Sequence, residues 1–257
     1  SKMNVKTINY MSGNYVINLL HYVWRGDKKD IILAINNVPP ISLNRNTMLL
    51  LHNIFYLFSR KELFQNIRYT GLVFIFKYVY FWTIMTLFPP KEIYVQSKLM
   101  FERVPEKLKS RVTILNKKIY LDYLHKNETN FNSSQDQNID ILITGGIEKH
   151  KNNHEIISLL DNFISRPTKI HCSERLKLQF RNENISFSDL IPNSHGEYVA
   201  LLRASKNIIV GTLFDSFNMN IQECEMLRST YFVQKSEASD EFATNGVIFS
   251  NMFELEE

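Results

Sequence analysis

Short apolar runs alternate with stretches of helical periodicity through the first half of the chain. Four runs of five or six residues are apolar and bounded by turn residues, which predicts buried strands at 30–35, 47–52, 92–97 and 111–115. Helical periodicity fills the intervals at 14–24, 60–88 and 98–108. Pro105 predicts an interruption of the last helix, because proline lacks a backbone donor and clashes with the preceding turn.

The same alternation returns from residue 139 onward. Predicted strands cover 139–146, 168–173, 183–191, 206–212, 230–234 and 246–250. Predicted helices cover 153–164, 173–182, 196–205 and 220–229. Strands that alternate with helices in this way indicate parallel sheets that are covered by helices.

A polar stretch without apolar periodicity, HKNETNFNSSQDQN, separates the two halves. We therefore predict an α/β protein of two Rossmann-like doubly wound domains that face a cleft. The predicted domains are 1–125 and 139–257, joined by a linker at 126–138. In such a pair the ligand is expected in the cleft between the domains.

One stretch, 70–88, is rich in apolar and aromatic residues over nearly the length needed to cross a bilayer about 30 Å thick. Lys77 lies in its middle, and a crossing would cut the first predicted domain in two, so a spanning helix is rejected. Two alternatives stay open. The stretch is either a helix buried in the core or a helix in the membrane interface, which would give peripheral membrane contact.

Composition narrows the class of protein. The chain has 257 residues, of which 44% are hydrophobic and 22% charged, as in ordinary globular proteins. Its net charge of +4 is too small to indicate nucleic-acid binding, but it suits phosphate ligands or an anionic membrane surface. Two isolated cysteines indicate a reducing compartment, and the first residues lack the layout of a signal peptide. We expect a cytoplasmic location, with the inner face of the plasma membrane as the narrower alternative.

The first candidate site follows a predicted strand that ends in Gly145-Gly146, within the sequence GGIEKHKN. Glycines at a strand end let the backbone approach a phosphate closely, and Lys151 adds positive charge. Taken alone, a loop with solvated lysines explains this motif more simply. His150 and His154 have the spacing of two metal ligands on one helix face, but no third ligand is nearby in the sequence, so no metal site is predicted.

The second candidate site lies at the start of a predicted helix, within FDSFNMNIQE. Ser216 or Asp215 is expected to cap that helix, whose unpaired amides form a site for an anion. A diphosphate seated there would leave Asp215 near sugar hydroxyls and Glu223 near a ribose. A plain capped helix explains the same residues, but both candidate sites follow strands of one predicted sheet, at the edge where doubly wound folds bind ligands.

These two segments resemble the nucleotide-sugar domain of family 4 glycosyltransferases, which have the GT-B fold. In that family a strand-end glycine precedes a Lys-Asn or Lys-Gly pair, and the matching segment here runs from Gly145 to Asn152. Two acidic residues then flank a turn that contains phenylalanine, which corresponds to Asp215 and Glu223. The HKN form is similar to that of a bacterial O-antigen branch of the family.

Further parts of the chain resemble the same family, so that the resemblance covers residues 45–257. The segment 236–251 is similar to a later family segment, with Glu241 at its acidic position. LLLHN is similar to the histidine loop of the acceptor domain, with His52 near its end. Relative to the family pattern, the chain is expected to be shortened at both ends.

The resemblance implies a role for each site residue. Asp215 and His52 would be catalytic: Asp215 would contact the transferred sugar, and His52 would face that sugar from the opposite domain. Lys151 would hold the donor diphosphate, and Glu223 would hold the ribose. The remaining donor-binding positions are Gly145, Gly146, Asn152, Phe217 and Asn218.

Four positions depart from the family pattern. The family usually has arginine, glutamate, glycine and proline where this chain has Gly146, Asp215, Asn218 and Asn220. One cation for the diphosphate is therefore missing, and a side chain stands beside the amides of the helix start. These departures leave room for reduced activity or for a protein that needs a partner.

We expect a glycosyltransferase that moves a sugar from a nucleotide-diphosphate donor to a lipid-linked or polysaccharide acceptor. The resemblance implies a retaining reaction without a metal, and with no cofactor besides the nucleotide sugar as co-substrate. The chain also lacks the Asp-x-Asp motif of metal-chelating glycosyltransferases. Two alternatives stay open, namely a GT-B-type sugar-nucleotide epimerase and a non-catalytic GT-B-like subunit that binds a partner or a membrane.

Overall fold

A computed structural model of the chain describes residues 31–35, 37, 46–115, 139–189, 191, 192 and 194–250. These residues form two sheets in which every pairing of strands is parallel. The predicted α/β class is therefore confirmed. The predicted helix at 14–24 and the predicted linker at 126–138 lie outside the described residues, so the domain boundaries stay a prediction.

The first sheet has four strands in the order β1-β2-β3-β4. They are β1 (Ile32–Ala34), β2 (Thr47–Leu51), β3 (Glu92–Val95) and β4 (Val112–Ile114). Burial alternates along β2 and β3, so that Leu49, Leu51, Ile93 and Val95 enter one core. Each strand begins and ends within three residues of the predicted run.

The described residues of this half include five helices and one 3₁₀ helix. They are the 3₁₀ helix Ile54–Leu57, α1 (Arg60–Gln65), α2 (Ile67–Thr70), α3 (Leu72–Leu87), α4 (Lys98–Arg103) and α5 (Glu106–Lys109). The interruption predicted at Pro105 is confirmed, since it separates α4 from α5. The single helix expected at 60–88 is wrong, because the chain breaks at Asn66 and again at Gly71, whose φ of 78° is outside the helical region.

The second sheet has six strands in the order β10-β9-β8-β5-β6-β7. They are β5 (Ile139–Ile143), β6 (Thr168–His171), β7 (Ile185–Phe187), β8 (Ser205–Val210), β9 (Tyr231–Gln234) and β10 (Val247–Phe249). Counted from β5, this is the 3-2-1-4-5-6 order of the Rossmann fold. The order reverses between β5 and β8, which are direct neighbours.

The helices of the second half connect these strands. They are the 3₁₀ helix Lys149–Lys151, α6 (Asn153–Phe163), α7 (Glu174–Lys177), α8 (His195–Ala204), α9 (Met219–Leu227) and α10 (Glu237–Phe242). The helix expected at 173–182 ends early, because the Asp161 carboxylate accepts the amides of Arg181 and Asn182. Helix α10 was not predicted, since six residues carry too little periodicity.

The core of the second half lies on both faces of its sheet. Successive residues of β5 point to opposite faces, so Leu142 packs with α8 and α9 residues while Ile143 packs with α6 residues. Apolar residues on both faces explain why these strands read as continuous apolar runs. The sheet edge formed by the ends of β5 and β8 remains available for a site.

Candidate functional site

The two predicted motifs follow β5 and β8, the two strands at which the order of the sheet reverses. We call the loop 144–152 and the turn 211–218 together the switch-point crevice. In doubly wound folds the ligand lies outside the carboxyl ends of the strands at this position. The backbone joins the two segments directly, because the amide of Leu213 donates to the carbonyl oxygen of His150 at 2.8 Å.

Asparagine side chains shape the first segment. The Asn153 amide group donates to the carbonyl oxygens of Thr144 and Gly146 at 3.1 and 2.9 Å, which folds the loop back on the start of α6. Gly145 has a φ of 82°, a conformation that favours glycine. Asn152 is left-handed with a φ of 53°, and its side chain donates to Gln234 at the end of β9.

Gly211, which the sequence reasoning missed, sets how closely the two segments approach. A Cβ atom at this position would lie 2.4 Å from the backbone oxygen of Lys151 and 2.4 Å from Cδ1 of Ile156. No real Cβ atom tolerates such distances. The loop that carries Lys151 therefore packs directly on the backbone after β8, which only glycine allows.

Lys151 and Asp215 form an ion pair between the two segments. Their Nζ and Oδ2 atoms are 2.9 Å apart, and each side chain keeps about a fifth of its surface exposed. Burial would raise the pKa of the Asp215 carboxyl, but the Lys151 charge and the hydrogen bonds from Lys151, Asn218 and Phe217 outweigh it and hold the pKa below its ordinary value. Asp215 is therefore ionised at neutral pH.

The second segment differs from expectation in how the start of α9 is capped. Neither Ser216 nor Asp215 is the N-cap, because Asn218 takes that place and accepts the amide of Ile221 at 3.3 Å. Asp215 instead accepts the amides of Phe217 and Asn218 at 3.2 and 3.0 Å. The expected anion site thus already holds an anion, which is the carboxylate of Asp215.

Asn218 and Phe217 lie in the same turn. Asn218 is 2% exposed and left-handed with a φ of 39°, a conformation that asparagine tolerates better than most residues. The Phe217 ring packs edge-on against Phe242 of α10, with 5.8 Å between centroids. Asn218 therefore both adopts the left-handed conformation of this turn and caps the helix that follows.

Glu223 lies one turn into α9 and is only 1% exposed. Its Oε1 atom is 3.8 Å from Nε2 of His195, the first residue of α8. His195 was not predicted as a site residue, because nothing in the sequence links the starts of α8 and α9. The Glu223 carboxylate is therefore buried beside the His195 ring, whose side chain is 26% exposed.

His52 approaches the crevice from the first half. Its backbone amide donates to Oδ1 of Asn37 at 2.6 Å, and its ring Nε2 is 2.8 Å from Nδ2 of the same side chain. Because Nδ2 can only donate, Nε2 of His52 is the unprotonated nitrogen of a neutral ring. Burial lowers the pKa of His52, in agreement with this tautomer.

Ser216 joins His52 to the turn of Asp215. Its hydroxyl donates to the carbonyl oxygen of His52 at 2.5 Å and lies 3.3 Å from Oε1 of Gln96. This contact explains why Ser216 does not cap α9. The backbone of His52 therefore contacts the turn that carries Asp215, and the catalytic role of the His52 ring stays a prediction.

Two further contacts hold the halves together. The Glu241 carboxylate accepts the amides of Lys98 and Leu99 at 2.9 and 2.7 Å, and so caps α4 of the other half. The Arg103 guanidinium bridges Glu62 of its own half and Glu237 of the second half. Glu241 is thus occupied at the interface between the halves.

An aromatic cluster also crosses the interface beside the crevice. The rings of Phe55, Phe58 and Tyr69 each lie between 5.3 and 5.9 Å from the ring of Phe214, and Phe55 also contacts His150 edge-on at 5.6 Å. Burial, assisted by the Lys151 charge, lowers the pKa of His150. A neutral imidazole therefore belongs to this cluster.

Two other kinds of feature are absent from the described ranges. Within residues 31–115 and 139–250, apart from the gaps given above, no three His, Cys, Asp or Glu side chains are grouped to hold a metal ion. In those same ranges no helix has both the length and the apolar character needed to cross a membrane.

Comparisons with known proteins give matches only among solved structures. No family model matches the chain, and no curated protein matches it. Trehalose 6-phosphate synthase from Burkholderia multivorans superposes with a TM-score of 0.53 at 10% identity, over 79% of this chain and 55% of that one. The UDP-forming trehalose-phosphate synthase from Burkholderia xenovorans superposes with a TM-score of 0.53 at 11% identity, over 79% of this chain and 56% of that one. Sucrose-phosphate synthase from Thermosynechococcus elongatus superposes with a TM-score of 0.51 at 10% identity, over 79% of this chain and 54% of that one.

These solved structures are glycosyltransferases with the GT-B fold, and this chain spans just over half of their length. At such low identity the likeness concerns the fold alone. The parallel sheets, the Rossmann order of the second sheet and the close contact between the halves agree with that likeness. The chain therefore has an α/β fold of GT-B type.

Proposed function

We propose that this chain is a glycosyltransferase that moves a sugar from a nucleoside-diphosphate donor to a lipid-linked or polysaccharide acceptor. The observation that carries the proposal is the ion pair of Lys151 and Asp215, which joins both motifs at the switch point of a Rossmann-ordered sheet. A cation and a carboxylate that are both partly exposed there suit a diphosphate and a sugar hydroxyl. The fold shared with solved glycosyltransferases supports the same class.

In this proposal Asp215 acts as a substitute anion while no donor is bound. Its carboxylate accepts two backbone amides and the Lys151 ammonium, which are the groups that a diphosphate would use. An arriving diphosphate displaces the carboxylate from Lys151, and Asp215 turns to a hydroxyl of the transferred sugar. Lys151 then stabilises the charge that grows on the diphosphate as the sugar leaves.

The transfer itself exchanges one carbon–oxygen bond for another. The bond between the anomeric carbon and the diphosphate oxygen breaks, the acceptor oxygen bonds to that carbon, and the acceptor proton leaves with the diphosphate. His52, neutral and across the crevice from Asp215, borders the sugar from the first half. Retention, independence from metal and an O-antigen acceptor are narrower parts of the proposal, and they rest on the family 4 resemblance.

Glu223 would accept hydrogen bonds from the ribose of the donor. The carboxylate is buried beside the His195 ring, so donor binding would have to expose it. Glu223→Gln is expected to weaken binding of the nucleotide sugar and of the free nucleoside diphosphate alike, because both carry the ribose. A defect that is confined to the nucleotide sugar would contradict the ribose role.

Asp215→Asn gives the sharper test of the substitute-anion role. Without a carboxylate to compete for Lys151, the variant should bind free nucleoside diphosphate several-fold more tightly, whereas sugar transfer should be lost. Titration calorimetry with uridine, guanosine, adenosine, cytidine and thymidine diphosphates measures the affinity for the diphosphate. Product analysis with the nucleotide sugars of the same five bases measures the transfer of the sugar. Weaker diphosphate binding in a folded Asp215→Asn protein would contradict the proposal.

A second candidate is a non-catalytic subunit of GT-B type. The observation that favours it is that the Asp215 carboxylate already bonds the Lys151 ammonium and the two backbone amides, so these groups have an anionic partner without a ligand. The missing cation at Gly146 points the same way. If none of the five diphosphates binds to the wild-type protein or to Asp215→Asn, the non-catalytic candidate replaces the transferase. Release of an altered nucleotide sugar without an acceptor would instead identify an epimerase.

A further inference from the structure

Helix α3 buries only part of its apolar surface. Phe81, Ile84 and Met85 enter the core of the first half. On the other side Phe76 is 77% exposed and Leu72 and Val73 are each 69% exposed. Val79 and Leu87 continue this exposed side at helical spacing. We call Leu72, Val73, Phe76, Val79 and Leu87 the outer face of α3.

Two threonine hydroxyls beside the outer face donate hydrogen bonds within the helix. The hydroxyl of Thr83 donates to the carbonyl oxygen of Val79 at 2.8 Å, and that of Thr86 donates to the carbonyl oxygen of Trp82 at 2.7 Å. Both threonines are exposed, so their hydroxyls bond to the helix although water is also available to them. Because these hydroxyls already have partners within the helix, their side chains can enter a medium without hydrogen-bonding groups at little cost in free energy.

The charges along this segment are nearly all positive. Between residues 60 and 91 the exposed cations are Arg60, Lys61, Arg68, Lys77 and Lys91. The sole acidic residue of that stretch is Glu62, and its carboxylate is bonded to Arg103 and to the amide of Ser59. An apolar face accompanied by cations complements a surface of anionic lipid headgroups.

The length of α3 decides how it would meet a bilayer. At about 1.5 Å per residue its 16 residues extend about 24 Å, which is less than the hydrocarbon thickness of about 30 Å. Such a helix lies in the plane of the interface with one side buried in lipid. The other side of α3 is fixed in the protein core, as that orientation requires.

We propose that the outer face of α3 docks on an anionic lipid bilayer. This inference goes beyond the proposed function, since it would hold even for a chain that transfers no sugar. Helix α2, which precedes α3 through Gly71, packs against the 3₁₀ helix that carries Lys151. A docked protein therefore holds the switch-point crevice beside the bilayer, where an acceptor linked to lipid would be found.

Flotation with vesicles tests the proposal directly. The wild-type chain should float with phosphatidylcholine vesicles that contain phosphatidylglycerol, and far less with phosphatidylcholine alone. Phe76→Ser should lower the vesicle partition coefficient by roughly tenfold, and Lys77→Gln by roughly fivefold. Both side chains are exposed, so neither variant should unfold the protein, which circular dichroism verifies.

Matched controls lie in α7 of the second half and at the residue directly after it. Leu178 is 88% exposed and Arg175 is also exposed, so Leu178→Ser and Arg175→Gln remove an apolar group and a charge of the same kinds elsewhere. These two controls should float like the wild type. The wild type, the two α3 variants and the two controls should all bind nucleoside diphosphate equally. The proposal is overturned if the wild type ignores anionic vesicles or if the controls lose as much binding as Phe76→Ser. It is also overturned if sedimentation shows that the outer face joins two copies of the chain, with Phe76→Ser separating them.

Discussion

The hydroxyl of Ser216 donates a hydrogen bond of 2.5 Å to the carbonyl oxygen of His52. This bond joins the two halves of the molecule one residue away from Asp215. It also brings the backbone of His52 against the turn that carries the proposed donor site. The arrangement of the crevice therefore depends on how firmly the halves are held together.

Ser216→Ala removes this bond and leaves the His52 carbonyl oxygen without its donor. We expect the free energy of unfolding to fall by about 1 kcal/mol, the usual net value of one such hydrogen bond. Thermal unfolding measures the change. Ser158→Ala is the control, because Ser158 is exposed in the middle of α6 and should leave Tm unchanged or slightly raised. Equal Tm values for both variants would show that the bond does not stabilise the contact between the halves.

Gly211→Ala should disturb the crevice through packing alone. The new methyl group would meet the backbone oxygen of Lys151 at 2.4 Å, and backbone cannot rotate away. We expect a loss of about 1–3 kcal/mol in the free energy of unfolding, as for other overpacked sites. Urea unfolding at constant m-value gives this quantity.

Gly146→Ala is the matched control for Gly211→Ala. The three atoms nearest to its methyl group would all belong to the Glu148 carboxylate, the closest at 2.6 Å, and that side chain is flexible enough to move. A much smaller loss is therefore expected. If Gly146→Ala is as destabilising as Gly211→Ala, then contact with the Lys151 backbone is not what requires glycine after β8.

His150 predicts a dependence of stability on pH. Its pKa in the folded protein is below the ordinary value of 6.5, chiefly because of burial. As pH falls below 6.5, the unfolded chain takes up a proton that the folded protein refuses, so stability falls until the pH reaches the folded pKa. His150→Phe keeps a ring beside Phe55 and removes the titration. Its Tm should decline less between pH 7 and pH 5 than that of the wild type.

Two other histidines limit the size of that effect. Burial also lowers the pKa of His52 and of His171, so the His150→Phe protein keeps part of the acid sensitivity. The pH dependence of the free energy of unfolding should differ between the two proteins by no more than the uptake of one proton on unfolding. Identical curves of Tm against pH for the two proteins would mean that His150 is protonated freely in the fold.

The convergence of the two motifs could be predicted from the sequence, whereas the contacts between the halves could not. Strands that alternate with helices imply a doubly wound sheet, and such a sheet brings strand ends to one edge, so Lys151 and Asp215 were expected near each other. The bond from Ser216 to His52 and the capping of α4 by Glu241 depend on the relative placement of two sheets. No local pattern encodes that placement.

The helix breaks in the first half and the cap of α9 could not be predicted from the sequence for a different reason. Gly71 and Asn66 break the helix expected at 60–88, although the apolar periodicity continues through both positions. Asn218 replaces Ser216 as the cap of α9, because the serine hydroxyl is used by the other half. At Gly71 a positive φ, and at Ser216 a tertiary contact, outweigh local propensity.

The central claim is that the switch-point crevice binds a nucleoside diphosphate through Lys151. The most direct measurement is the shift in Tm on addition of each common nucleoside diphosphate to the wild type, to Lys151→Ala and to Lys149→Ala, which removes an exposed lysine of the same loop. At a ligand concentration of about 100 times Kd, the bound form gains roughly 2.7 kcal/mol. The account predicts a clear rise in Tm for at least one diphosphate with the wild type and with Lys149→Ala, and a much smaller rise with Lys151→Ala. No rise with the wild type, or equal loss in both lysine variants, would contradict it.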